Sequence, residues 1–353
     1  MALIDSIVDI QISRNTLGIT KDEFATILVI GEPVAIDVVP RFGLYSSLTA
    51  VLVDYTVDTY EYQIARNIFI QDITVKNIYI GQRSNAETLL QAYTRIKLIY
   101  NFYAVCTSND VHADVMPLAN AIEASKTNGQ SHVLFLLEED DTLGINSDMA
   151  KTFGVSLSRT SVWYSKRPNP TPPDVTVQYI QAAILGRLLP TDPGTYNWAG
   201  KTIKGIKPDS ATDGGLTSEI ITKINSFNGN FYTHVAGRDV TFNGKMASGE
   251  YIDIIYGIDW LENTMQQDVF NVFATNPKIP YTNQGIGLIE NAMRSTLELA
   301  KSRGVISSYT VTTPDITAVS FTDKSNRNLK GVSFQAIATG AINHVFINGY
   351  VTL

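Results

Sequence analysis

Between residues 46 and 190, short apolar runs alternate with longer stretches of helical character. This alternation limits the fold more than any other feature of the chain. "VKNIYIG", "LIYNFYAVC", "SHVLFLLEED" and "TSVWYS" read as strands. Between them lie "SNAETLLQAYTRIK", a helix opened by Ser84 or Asn85, and "NDVHADVMPLANAIEASKTNG", a helix that Gly129 ends. A short helix falls near "INSDMAKTFG", and "DVTVQYIQAAILGRLL" forms another after the loop "KRPNPTPP". Upstream, a helical stretch carries Tyr62, Ile64, Ala65 and Ile68. Strands spaced by helices of this length imply parallel α/β layering.

The two ends have a different texture. Val8, Ile10 and Ile12 alternate with Asp9, Gln11 and Ser13, the period-2 pattern of a half-buried strand. "RNTLGITKDE" connects it to "FATILVIG", a more uniformly apolar strand. The closing residues "INHVFINGYVTL" read as one strand with Val345, Ile347, Val351 and Leu353 on one face. An unprotected strand of this kind is a pairing hazard, usually blunted by Lys, Pro or a covering helix. "PTDPGTYNWAGKTIKGIKPDSATDGG" lacks periodicity and marks the best candidate boundary. Beyond it the spacing predicts a helix from about Thr217, with Glu219 in its first turn, then a hairpin turning at Asn243-Gly244 or nearby glycines. "YIDIIYGIDWLENTMQQDVFNVFAT" is a helix apolar on more than one face, so it is buried on more than one side. "GIGLIENAMRSTLELAKSRGVI" is a helix closed by Gly304, and the remainder reads as β structure. The latter part is therefore α+β.

Charge narrows the partners. With 27 Lys and Arg against 34 Asp and Glu, the net charge is −7, and no basic cluster offers a face for nucleic acid or an anionic membrane. No apolar run approaches the roughly 18 residues of a membrane span, and "MALIDSIVDIQIS" has no signal-peptide pattern. Cys106 is the single cysteine, so no intrachain disulfide forms and folding in a reducing cytoplasm is expected.

Chemistry is sparse. "AGKT" at Ala199–Thr202 resembles the end of a phosphate-binding loop, but that motif needs Gly where Thr195 stands, and Gly194 is one residue off. Lys201 nonetheless carries the alternative reading, a nucleotide-binding α/β enzyme. "EEDD" at Glu138–Asp141 could hold a hard cation or form a solvated loop, the latter favoured for a charge run. His112 and Asp114 open a helix without facing each other, as a surface His and a cap. The four histidines show no metal-ligand spacing. No catalytic, cofactor-binding or metal-binding residue is nominated.

A resemblance supplies what motifs do not. "FNGKMASGEYIDIIYGIDWLENTMQQDVFNVFATNPKIPYTNQGIGLIENAMRSTLELAKSRGVI" resembles the contractile tail sheath proteins of myovirus-type phages. The likeness rests on Gly249 with Asp253, on Asp259-Trp260-Leu261, on "KIPYTNQG" with Lys278, Pro280 and Tyr281, and on the closing "GAINHVFINGYVTL". "IVDIQISRNTLGITKDEFATILVIG" is similar to a sheath opening, and "GTYNWAGKTIKGI" to the segment joining outer and inner domains. The resemblance is weak across residues 40–180.

It implies a two-domain fold, α/β and α+β. The outer α/β domain would be 29–200 and the inner α+β sheath domain 201–340. Residues 1–28 would be an N-terminal strand and linker joining the inner domain, and 341–353 a C-terminal strand. It implies a non-enzymatic structural subunit without cofactors, whose Val8, Ile10, Ile12, Val345, Ile347, Val351 and Leu353 pair between subunits. The partners it implies are the chain itself, in six-fold rings stacked helically, a tail tube protein on the inner face, and baseplate and tail terminator proteins at the ends. Neither nucleic acid nor direct membrane binding is implied. The place of action would be the virion tail, after assembly in the host bacterial cytoplasm.

Overall fold

The computed structural model describes residues 24–35, 39, 41–107, 112–126, 131–139, 142–144, 147–166, 179–211 and 215–343. In chain order the first elements are β1 (Ile27–Pro33), β2 (Phe42–Tyr45), α1 (Leu48–Val51), α2 (Tyr60–Phe69), β3 (Ile78–Arg83), α3 (Leu89–Lys97) and β4 (Ala104–Thr107). Then come α4 (His112–Ser125), β5 (Val133–Glu138), α5 (Asp148–Gly154), β6 (Thr160–Tyr164) and α6 (Ile180–Leu188). The chain continues with α7 (Ser218–Ser226), β7 (Asn230–Val235), β8 (Arg238–Phe242), α8 (Ile252–Thr275) and α9 (Asn283–Ser302). It closes with β9 (Ile306–Thr312), a 3-10 turn at Ile316–Ala318, α10 (Phe321–Ser325) and β10 (Ser333–Ala338).

The expected α/β layering is present. An eight-stranded sheet has the order β2-β3-β1-β4-β5-β6-β7-β8, parallel from β3 to β7 and antiparallel at its two edges. The sheet crosses residue 200, because β7 joins β6 through Trp163↔Asn230 and Tyr164↔Phe231. β1 is central, and its continuous apolar run follows from burial on both faces. Ile27 and Val29 point to one layer, with Ile64, Ile68 and α6. Leu28 and Ile30 point to the other, with Tyr93, Val115, Leu118 and Ile224. The first layer runs without a break into α8, α9 and β9 through Trp260, Met265, Leu297 and Val311. Cys106 is buried in β4 opposite Val29 and Phe135.

Local chemistry explains where elements start and turn. Thr217 caps α7 by accepting from Ile220 N, as the sequence suggests. The cap of α3 is Thr88, which forms a capping box with Gln91; Ser84 instead takes part in the preceding turn, its N–H donating to Glu87. β4 begins only at Ala104, and Leu98 and Ile99 stand exposed ahead of it. The β7–β8 hairpin turns at Ala236-Gly237, with φ of 50° and 80°, the pattern of a two-residue turn with both residues left-handed. Asn243-Gly244 forms a separate turn just after β8, where Asn243 Nδ2 donates to Gly229 O at 2.6 Å. The segment between β9 and β10 is helical in part, where the sequence suggested only β structure.

The phosphate-loop resemblance dissolves in the fold. Ala199–Thr202 bends past β8 with Gly200 left-handed at φ 72°: Gly200 N donates to Thr241 O at 2.8 Å, and Lys201 N to Thr241 Oγ1 at 3.0 Å. Two of the amides a phosphate would need, those of Gly200 and Lys201, are spent on the sheet edge. Within "EEDD", Glu138 is buried at the end of β5 and accepts from Met149 N at 3.0 Å, so it serves the start of α5 and is not part of a solvated loop; Asp140 and Asp141 lie outside the described residues. Asp114 pairs with Arg83 at 3.5 Å. Among the described residues no group of His, Cys, Asp and Glu could hold a metal ion, and no helix is long and apolar enough to cross a membrane.

Candidate assembly surface

α8 is buried on all sides from Asp259 to Gln266, although this stretch carries two carboxylates. A buried carboxylate must be paired and hydrogen-bonded. Here the partners come from the amino ends of three parallel strands. Tyr103 precedes β4, Ser131 precedes β5 and Arg159 precedes β6, while Lys126 follows α4. Arg159 grips Asp259 through both terminal nitrogens, Nη1 to Oδ2 at 2.8 Å and Nη2 to Oδ1 at 2.7 Å. Tyr103 donates to Asp259 Oδ2 at 2.9 Å. Lys126 Nζ donates to Asp259 Oδ1 at 2.7 Å, to Glu262 Oε2 at 2.6 Å and to Ser131 Oγ at 2.8 Å. Burial opposes the Arg159 charge, yet Asp259 beside it holds the guanidinium pKa above its ordinary value. Burial first, then the Asp259 charge, pushes the Tyr103 hydroxyl well up. The cluster balances two cations with two anions, so α8 is fastened to the sheet without net charge.

Aromatic packing completes the joint. Tyr256 of α8 stacks on Phe24 and donates to Leu189 O at 2.7 Å, while Phe24 stacks on Tyr103 with centroids 4.6 Å apart. The Arg303 guanidinium lies 4.8 Å from the Trp260 ring centroid and 2.9 Å from Asp192.

The motif residues read from the sequence therefore separate. Asp259 and Trp260 are core residues. Asp253 sits in the first turn of α8, where burial raises its pKa. Lys278 is exposed, and Pro280 and Tyr281 shape the α8–α9 connection. Tyr281 donates to Asn328 O at 2.7 Å. The Pro280 carbonyl oxygen accepts from Thr282 N and lies 1.9 Å from where a Cβ on residue 285 would stand, which requires Gly285. Arg159, Lys126 and Tyr103 escaped sequence reasoning; the available signal was a pair of carboxylates one turn apart in a helix read as buried on more than one side.

At the far end of the C-terminal segment, β9 and β10 form a two-stranded antiparallel sheet, with Phe334 opposite Val311 and Ala336 opposite Tyr309. Tyr309, Val332 and Phe334 pack against the core, and Tyr309 donates to Glu298 of α9 at 2.6 Å. The opposite face is exposed and includes Ile337, 65% accessible. Among the described residues, neither outer edge carries a third strand. A lone two-stranded ribbon is marginal, and this one depends on α9 for support. The strands nominated for pairing, with Val8, Ile10, Ile12, Val345, Ile347, Val351 and Leu353, lie outside the described residues.

This C-terminal segment is also what known proteins share. Residues 252–344 match the family described as E217 tail sheath protein gp31-like, C-terminal domain. That segment, 252–344, carries the likeness to contractile tail sheath proteins. The sheath fold extends over nearly the whole length of the chain. A chain in the 6-fold symmetrised baseplate of the anti-feeding prophage superposes with TM-score 0.67 at 13% identity, covering 98% of both chains. A chain of the contracted helical sheath of that prophage gives 0.66 at 12%, covering 97% of both. A sheath tail protein from Listeria innocua gives 0.50 at 10%, covering 87% of this chain and 89% of that one. No curated protein sequence matches. The matched sheath proteins are structural parts of contractile tails and not enzymes, which leaves no support for the nucleotide-binding alternative. The four-charge cluster joins the matched sheath domain to the α/β sheet, and β9–β10 is the surface that domain leaves open.

Proposed function

We propose that this sheath protein polymerises as six-fold rings stacked helically around a tail tube, and that contraction of the stack drives the tube through the host envelope. The observation carrying this reading is the two-stranded β9–β10 sheet, whose outer edges carry no further strand among the described residues, inside the segment that matches the sheath family. Strand addition at such an edge gains main-chain hydrogen bonds while side chains set the fit. The alternating residues around Val8–Ile12 and Val345–Leu353 are the strands a neighbour would contribute. A head-to-tail contact that does not close gives a helical filament. Linkers that absorb backbone rotation let joined subunits reorient as rigid bodies.

In this reading the α/β part, within 29–200, projects outward, and the unit within 201–340 faces the tube, with the β7–β8 hairpin shared at the boundary. Residues 1–28 and 341–353 are the exchanged arms, and Asp253, Lys278, Pro280 and Tyr281 belong to the inner unit. Baseplate and terminator proteins cap the two ends, and assembly takes place in the host cytoplasm before the virion is released. The similarity to chains from a baseplate and a contracted helical sheath supports this assignment. Negative-stain electron microscopy of the purified protein tests it, with tubes or stacked rings expected. Deleting Val345–Leu353 should leave folded monomers; undiminished tubes in that deletion would sink the strand-exchange mechanism.

A further inference from the structure

Two cations near the boundary segment have no carboxylate partner among the described residues. Arg187 lies in the last turn of α6 and Lys201 lies beside β8, and both face the ring of Tyr196. The guanidinium carbon is 5.9 Å and the ammonium 5.6 Å from the ring centroid. Arg187 Nη1 is shielded from solvent and makes no hydrogen bond. Burial, and then the Arg187 charge, lower the Lys201 pKa, so the two cations are close enough to repel. In a chain with an excess of acidic residues, a half-buried cation pair held together by one ring calls for an anion.

The form of that anion can be narrowed. The amides of Gly200 and Lys201 already donate to Thr241, so these two are not free to cradle a phosphate. What remains is an Arg fork and an ammonium beside an aromatic ring, a setting that suits a carboxylate. Tyr196 is 38% accessible, so the site opens outward. Its location points to the source. The adjacent Asn197 donates to Asn343 at 3.1 Å, at the point where the chain leaves β10 towards the C-terminal arm.

We infer that Arg187, Tyr196 and Lys201 form a receptor for an acidic side chain presented by a neighbouring copy of this chain, an ion pair beside the exchanged strand. This rests on the polymerising reading above. It gives the Lys of "AGKT" a role in subunit contact in place of nucleotide binding.

The test compares the intact protein with Arg187→Gln, Lys201→Gln and the double variant, using melting temperature and circular dichroism for the fold and sedimentation for the critical concentration of assembly. Each single variant should keep its fold and raise the critical concentration roughly tenfold at low salt, the equivalent of about 1.4 kcal/mol. Arg187→Lys should recover part of the loss. High salt should shrink the difference between intact protein and variants. Folded variants with an unchanged critical concentration would overturn the inference while leaving the sheath reading intact. Failure of the intact protein to assemble at all would overturn the sheath reading and this inference with it. Thermal stabilisation of the intact protein by inorganic phosphate, lost in the double variant without any change in assembly, would assign the site to a free anion and overturn the subunit contact.

Discussion

Arg159 and Asp259 face each other as an ion pair joined by three hydrogen bonds, 100 residues apart in sequence, with both side chains sealed from solvent. Asp259 belongs to the matched sheath domain, and Arg159 to the amino edge of the α/β sheet. The pair, with Lys126, Glu262 and Tyr103, holds the two parts in one orientation. Buried ion pairs add little net stability against an apolar core, but the loss of one partner leaves a charge stranded. Their value here lies in fixing how α8 seats against three strand ends, since hydrophobic contact alone is non-directional.

Removing the shared acceptor should therefore be severe. Asp259→Ala leaves Arg159 and Tyr103 without their common partner and Lys126 with only Glu262 and Ser131. We expect a loss of about 3–5 kcal/mol in urea unfolding. Replacing both members, as Arg159→Met with Asp259→Leu, should recover much of it, because no isolated buried charge remains. A double replacement as unstable as the single one would show that the pair itself is net stabilising.

The contact between Arg303 and Trp260 should matter less. Arg303 and its partner Asp192 are partly exposed, with side-chain accessibilities of 27% and 63%, so solvent screens the ion pair. Arg303→Ala should cost about 1 kcal/mol, most of it from the lost cation–π contact. A loss as large as that of Asp259→Ala would contradict this ranking of the two joints.

How far the sequence showed these relationships depends on their range. β1, the α7 cap at Thr217 and the alternation of strands and helices are local patterns, and all three are present in the fold. The capping pair Thr88 and Gln91 was equally local but competed with Ser84 and Asn85, which also suit a helix start. The sequence leaves the hairpin turn open between Asn243-Gly244 and nearby glycines; it falls at Ala236-Gly237, and Asn243-Gly244, the stronger hairpin signal, serves the next turn. The partners of Asp259 were not legible at all. Nothing in the neighbourhood of Tyr103, Lys126 or Arg159 marks them as meeting on a helix more than ninety residues further on. The one signal available, not used in the sequence reading, was the awkwardness of Asp259 and Glu262 in a buried helix.

His132 provides a pH test of the same region. It is buried, stacked on Phe102 at 4.5 Å, and its Nδ1 shares a hydrogen bond of 2.7 Å with the Tyr93 hydroxyl. Burial, with Arg159 and then Lys97 adding their charges, lowers its pKa to about 3. The unfolded chain, with a histidine pKa of about 6.5, binds more protons between these values. Its contribution to stability is therefore fully present above pH 6.5 or so and is lost as pH falls towards 3, by an amount on the order of a few kcal/mol. Melting temperatures across that range should fall more steeply for the intact protein than for His132→Gln. Parallel curves would show that this histidine does not set the acid sensitivity.

The edge of β10 allows assembly to be separated from folding. Ile337 is exposed on a strand whose outer side carries no partner among the described residues, so replacing it should scarcely affect the single chain. Ile337→Lys should change unfolding free energy by no more than about 0.5 kcal/mol, as for most exposed positions. If strand exchange occurs on this sheet, the same change should suppress tube formation, because a Lys on an exposed strand is what soluble proteins use to prevent edge pairing. Electron microscopy of the variant at the concentration where the intact protein forms tubes decides the matter. A stable variant with few or no tubes is expected. Normal tubes would move the exchanged strands away from β9–β10 and onto another edge, leaving the sheath fold as it is.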